Sequence, residues 1–126
     1  MSKRKNIFST VPTNDKVAVM VERLSDKKAR DILALDLTGR HGLSEAVVIA
    51  SATSVRHGQG LAEHLLASAR EDNFEYLSME GHQLGQWILL DFNDVIVHIF
   101  HPESRDLFRL DDLWPDAPVL ADTRGA

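Results

Sequence analysis

Apolar positions between Asn14 and Arg30 recur at helical spacing, with Val17, Met20, Val21 and Leu24 forming one stripe. Thr13 or Asn14 can cap this helix, Asp15 suits its first turn, and Lys27, Lys28 and Arg30 place cations in its last. The period then changes. Ile32 to Leu37 is a short apolar run bounded by Thr38-Gly39 and reads as a strand, with a turn from Gly39 to Gly42. Ala46-Val47-Val48-Ile49-Ala50 is apolar throughout, which implies a strand buried on both faces and helices packed on its sheet. Thr53-Ser54 opens a helix to about Asn73, with Leu61, Leu65, Leu66 and Ala69 facing the core. Gly58 and Gly60 near its start either make the first turn irregular or admit another backbone closely.

Tyr76 to Met79 is a short strand and Glu80-Gly81-His82 a loop. Trp87 to Phe92 and Val95 to Phe100 are strands joined by Asn93-Asp94, a hairpin connection in which Asn tolerates positive φ. The hairpin pair is antiparallel, while the helix between the second and third strands implies a crossover, so the sheet is mixed. Ser104 to Leu107 and Leu110 to Trp114 read as helical turns. The order predicts a single α/β domain, a mixed five-stranded sheet with helices packed on it. That domain is expected over residues 13–115, between a flexible N-terminus (1–12) and a flexible, proline-containing tail (116–126).

Composition narrows the chemistry. The 126 residues suit one domain, and 44% hydrophobic with 26% charged residues is globular composition. With no cysteine, disulfides, thiolate catalysis, Cys-ligated zinc and iron–sulfur clusters are excluded. The net charge of −5 hides a split: residues 1–61 carry +4 and residues 62–126 carry −9. The acidic half would repel a polyanion. It suits a basic protein partner, or else serves as a solubilising surface. No apolar run approaches the ~20 residues needed to cross a bilayer, and no apolar stretch follows the basic residues of MSKRKNIFST, so a cytosolic location is the default expectation.

Several enzymatic readings fail on spacing. His98 and His101 are three apart on a strand and point to opposite faces; His57 and His64 are two helical turns apart. Neither makes a metal pair, and no metal is expected. Ser51-Ala52-Thr53-Ser54 lacks a nucleophile elbow and reads as a helix cap. Gly58-Gln59-Gly60 lacks the third glycine and the lysine of a phosphate loop. Asp91 and Asp94 flank a turn instead of sharing a strand face, with no Gly-Ser signature before them, so two-metal chemistry is not expected. The hairpin does combine Trp87 and Phe92 with Asp91 and Asp94, the composition of a recognition patch with aromatic anchors and a charged rim. The competing reading is core, and alternation places Trp87 and Phe92 on opposite faces of their strand.

The run Glu80-Gly81, Trp87, Asp91-Phe92-Asn93-Asp94-Val95, Val97-His98 and Phe100 closely resembles the ribosomal silencing factor (Iojap-like) family, whose pattern there is EG…W-x-x-x-D-h-G-D-V-x-V-H-h-F, h being apolar. Upstream, Asp31-Ile32, Leu35-Asp36-Leu37 and Val48 to His57 resemble its first strands and the T-S-x-R that opens its helix. Downstream, Glu103, Arg105, Leu110 and Leu113-Trp114 resemble its E-x-R…L-x-x-L-W ending, so the match spans about residues 14–115. The resemblance implies an α/β fold related to nucleotidyltransferases without their catalytic residues, and a translational repressor that is not an enzyme and needs no cofactor. It implies binding to the large ribosomal subunit at its intersubunit face, through a basic ribosomal protein, the one numbered fourteen. The small subunit is thereby kept from joining when nutrients are short. Organelle members are tied instead to large-subunit assembly. Neither DNA nor a membrane is an expected partner, and two free copies could pair through an exposed apolar hairpin face. Carried over by motif, the binding residues are Trp87 and Phe92, with Asp91, Asp94 and His98 beside them. Asn93 stands where the family has Gly, a substitution that keeps left-handed backbone accessible.

Overall fold

The computed structural model describes residues 8–39 and 44–125. Helix α1 spans Thr13–Asp26 and buries Val17, Met20 and Leu24 of the stripe read from the sequence, together with Lys16, while Val21 stays partly exposed. It stops earlier than expected. Lys28 adopts φ 68°, its N–H donates to Ser25 O, and Ala29 N–H donates to Leu24 O. This closure caps the last carbonyls and normally recruits glycine, so Lys28 gave no signal of it. The early stop frees Arg30 to begin strand β1 (Arg30–Asp36). Strand β2 (Ala46–Ser51) is buried at every position, as its unbroken apolar run requires. Of the turn expected between them, residues 40–43 lie outside the described residues; Gly39 begins it at φ 79°.

Helix α2 (Val55–Glu71) is capped by Ser54, whose Oγ accepts from His57 N at 3.0 Å. Gly58 lies inside it, where an added Cβ would sit 3.3 Å from Ala52 Cβ; around Gly60 the space is open. Close approach therefore explains Gly58 alone. Strands β3 (Ser78–Glu80), β4 (Trp87–Asp91) and β5 (Val95–Phe100) follow. Next come helix α3 (Pro102–Phe108), a 3-10 turn at Leu110–Asp112 and strand β6 (Val119–Asp122).

The sheet order is β3-β4-β5-β2-β1-β6. Only β2 and β5 pair in parallel, so the sheet is mixed as the crossover demanded. It has six strands, not five. The tail expected to be loose supplies β6, which pairs with β1 from Leu33↔Asp122 to Leu35↔Val119. Thr123 extends the pairing: its N–H donates to Ile32 O, and its side-chain Oγ1 accepts from Ile32 N–H. Short, partly exposed and next to Pro118, β6 has little pattern of its own; the free edge of β1 organises it. Of the N-terminal 12 residues, 1–7 lie outside the described residues, and Ser9 N–H donates to Asn73 O at 2.7 Å.

Helices α1 and α2 cover one sheet face, over a core that includes Ile32, Val48, Ile88, Leu90, Phe92, Val97 and Ile99. On the other face, Leu33, Leu35, Val47, Ile49 and Phe100 are sealed by the C-terminal segment, through Ala117, Leu110 and Trp114. Arg105 fastens that segment. Its guanidinium is buried, donates to Ser51 Oγ at 2.9 Å, and grips Asp111 with two bonds of 2.9 and 2.7 Å.

Candidate functional site

The C-terminal segment seals the second sheet face over β1, β2 and the end of β5. Strand alternation decides what the β3-β4-β5 half presents. On β4, Ile88 and Leu90 point into the helix-covered core, so Trp87, Leu89 and Asp91 point the other way and stay partly exposed. Register then aligns Phe100 with Trp87, His98 with Leu89 and Ile96 with Asp91. On the far side Glu80 lies opposite Leu89, and Ser78 opposite Asp91. The open half is thus an apolar strip of Trp87, Leu89 and Ile96, edged by Asp91 and Glu80.

Trp87 is its centre. Its ring lies 4.9 Å from the Phe100 ring and 5.0 Å from that of Phe108, at the end of α3. Phe108 and Leu107 are 52% and 73% exposed, so the strip continues onto the C-terminal segment. The indole Nε1–H donates to His98 Nδ1 at 2.9 Å. Before β4, Gly81 holds φ 80° with no room for a Cβ beside the Trp87 carbonyl, which accounts for the Glu80-Gly81 pair in the sequence motif.

The five residues expected to bind a partner do not form one site. Trp87 and Asp91 lie on the open face. His98 shares that face but is nearly buried there, 8% exposed. Phe92 is a correction: it is fully buried on the opposite face, its ring 6.0 Å from Tyr76, because it shares the parity of Ile88 and Leu90. Asp94 is a second correction. It is partly exposed, but its carboxylate is engaged within the chain, accepting from Thr13 Oγ1 at 2.8 Å and pairing with Lys16 Nζ at 2.7 Å. Asn93 adopts φ 77°, as the turn requires, with Asp91 Oδ1 accepting from its N–H. Leu89, Ile96 and Phe108 were not selected from the sequence. Counting by twos from Trp87 and His98 would have found the first two; nothing local marks Phe108.

Asp94→Ala is expected to destabilise the fold by about 2 kcal/mol, since the Lys16 ammonium would stay buried without its carboxylate. The double variant Lys16→Met with Asp94→Ala should recover part of that loss. Urea denaturation of the three proteins checks both.

Burial pushes the His98 imidazole down from 6.5 to about 4. The unfolded chain takes up this proton near pH 6.5 and the folded one near 4. Stability is therefore lost as pH falls through that window, and His98 has no effect above it. A titration of the His98 ring resonances by NMR should show a midpoint at about 4.

His57 Nδ1 lies 3.2 Å from Thr53 Oγ1, yet it accepts from Thr53 N–H while Nε2 bonds Lys27 O, tying α2 to the end of α1. Among the described residues no group of three or more His, Asp or Glu is placed to hold a metal ion. None of the described helices is long and apolar enough to cross a membrane.

The model of a family described as "Ribosomal silencing factor during starvation" matches residues 10–125. The chain belongs to this family. Among ribosomal silencing factors it is 39% identical over 94 residues to the one from Bacillus subtilis, covering 75% of this chain and 80% of that one. A crystal structure of a Chromobacterium violaceum protein superposes with a TM-score of 0.80 at 30% identity, covering 83% of this chain and 88% of that one. A more distant relative is mouse "Mitochondrial assembly of ribosomal large subunit protein 1", 28% identical over 103 residues, 78% of this chain and 44% of that one. The family match runs to residue 125, so it takes in β6, beyond the boundary expected at 115.

Proposed function

We propose that this protein represses translation by occupying the intersubunit face of the large ribosomal subunit under nutrient limitation, so that the small subunit is sterically kept from joining. The observation that carries this is the uncovered half of the sheet: an apolar strip centred on Trp87 with carboxylates at its edge. An apolar centre with a polar rim is the anatomy of a protein interface. The partner is a basic ribosomal protein. Residues 91–116 carry seven carboxylates against Arg105 and Arg109, and the exposed Glu103 and Asp106, with the partly exposed Asp91, can steer a cationic surface toward the strip. Action by occlusion needs no catalytic group or cofactor and suits a cytoplasmic location. When no ribosome is present, two copies can cover the same strip by pairing.

A second reading is a role in large-subunit assembly, favoured by the name of the mouse relative. Purified protein added to separated subunits tests the first. It should co-sediment with mature large subunits and reduce the fraction that joins small subunits. Binding confined to precursor particles, with joining unaffected, would favour assembly.

A further inference from the structure

We infer that His98 gives the open face one fixed hydrogen-bond donor, its Nε2–H, which takes an acceptor oxygen from the docked partner. The inference rests on the docking reading above and adds what the partner must offer. An indole nitrogen can only donate, so the 2.9 Å contact from Trp87 Nε1 requires a lone pair on His98 Nδ1. At pH 7 the ring is neutral, and its single proton then resides on Nε2. Tautomer and ring orientation are thus set by a neighbour on the same face.

The ring is also held from its sides. It stacks on Phe100 with centroids 6.2 Å apart and planes 13° from parallel, and its in-register neighbours are Leu89 on β4 and Ile49 on β2. Nε2 has no partner among the described residues. Nor is it one of the enclosed, unpartnered polar atoms, which are His64 Nε2 and Asp72 Oδ2, so the small remaining exposure of His98 reaches Nε2. The open face therefore carries one oriented donor in an apolar setting of Trp87, Leu89 and Ile96.

This arrangement selects among partners. A surface with an oxygen over Nε2, such as a main-chain carbonyl, gains a bond whose geometry needs no ordering. A purely apolar surface would bury the donor unmet. Trp87, its own N–H already used, contributes only ring area.

Two substitutions separate the donor from the support of Trp87. In His98→Asn the amide oxygen can stand at the Nδ1 position and accept from the indole, but nothing reaches the Nε2 position. In His98→Gln the amide extends to the Nε2 position and can donate. The probe is purified bacterial large ribosomal subunits, with Trp87→Ala in parallel. His98→Asn should bind about tenfold more weakly while its indole N–H resonance stays where it is in wild type; His98→Gln should recover most of that loss. The imidazole ¹⁵N spectrum of the unbound wild-type protein should show Nε2 protonated and Nδ1 bare.

A spectrum with the proton on Nδ1 overturns the inference without recourse to any variant. It is overturned as well if His98→Asn binds like wild type while Trp87→Ala binds weakly, which leaves the docking face standing without the donor. Equal weakening in Asn and Gln with a displaced indole resonance also overturns it, since His98 would then act through the Trp87 ring alone. If Trp87→Ala itself binds as wild type does, the docking reading falls, and this inference with it.

Discussion

Trp87→Ala should bind large ribosomal subunits about thirtyfold more weakly than wild type, a loss of about 2 kcal/mol, and should lose its block on subunit joining in proportion. The indole is the largest side chain on the open strip, and it is set for the part before any partner arrives. Its N–H is engaged by His98, and its ring is wedged between Phe100 and Phe108. A side chain ordered in advance loses little conformational freedom on docking, so most of its contact area contributes to affinity. Truncation should leave the fold largely in place, because Trp87 sits at the margin of the second core cluster. Trp87→Phe separates the two contributions: it keeps an aromatic surface and leaves His98 Nδ1 without its donor. Binding measured by sedimentation, with folding checked by circular dichroism, decides the matter. Wild-type affinity in Trp87→Ala would remove the open strip from the docking reading.

Phe92→Ala should show the opposite pattern, a large loss of stability with no specific loss of binding. Phe92 is fully buried beside Tyr76 in the core beneath α1 and α2. Truncating a buried phenylalanine removes its transfer free energy and leaves a cavity, together worth about 3–5 kcal/mol. Against a total of roughly 5–15 kcal/mol for a domain of this size, that is a substantial share. The melting temperature should drop by on the order of 10 °C or more. At a temperature where the variant is still folded, its affinity for large subunits should match wild type. A stable Phe92→Ala protein with weakened binding would return Phe92 to the docking surface and contradict its burial. The pair of variants thus reads the two faces of the sheet at positions five residues apart.

How far the sequence could go is clearest at these residues. The parity argument put Trp87 and Phe92 on opposite faces, and they are. It carried no sign to say which face would be covered. Asp94 shows the same limit in electrostatics. Its place beside an aromatic hairpin suggested a rim charge, but its partner is Lys16, 78 positions earlier, and no local pattern reports such a pair. The end of α1 escaped because its left-handed residue is Lys28 where Gly is usual. The extra strand escaped because β6 owes its order to the edge of β1.

Local elements and family membership were legible in the order of residues alone. Periodicity and turn chemistry act over a few residues, and they sufficed for both long helices, five of the six strands, the hairpin with its left-handed Asn93, and the mixed sheet. Which part of the sheet stays uncovered was settled only by tertiary packing. A sheet has two equivalent faces until something packs on each. Here two helices take one face, and a C-terminal segment, latched by Arg105 to Ser51 across 54 positions, takes only part of the other. Which residues stay exposed follows from how far that segment reaches, a consequence of contacts between remote parts of the chain that no local pattern encodes.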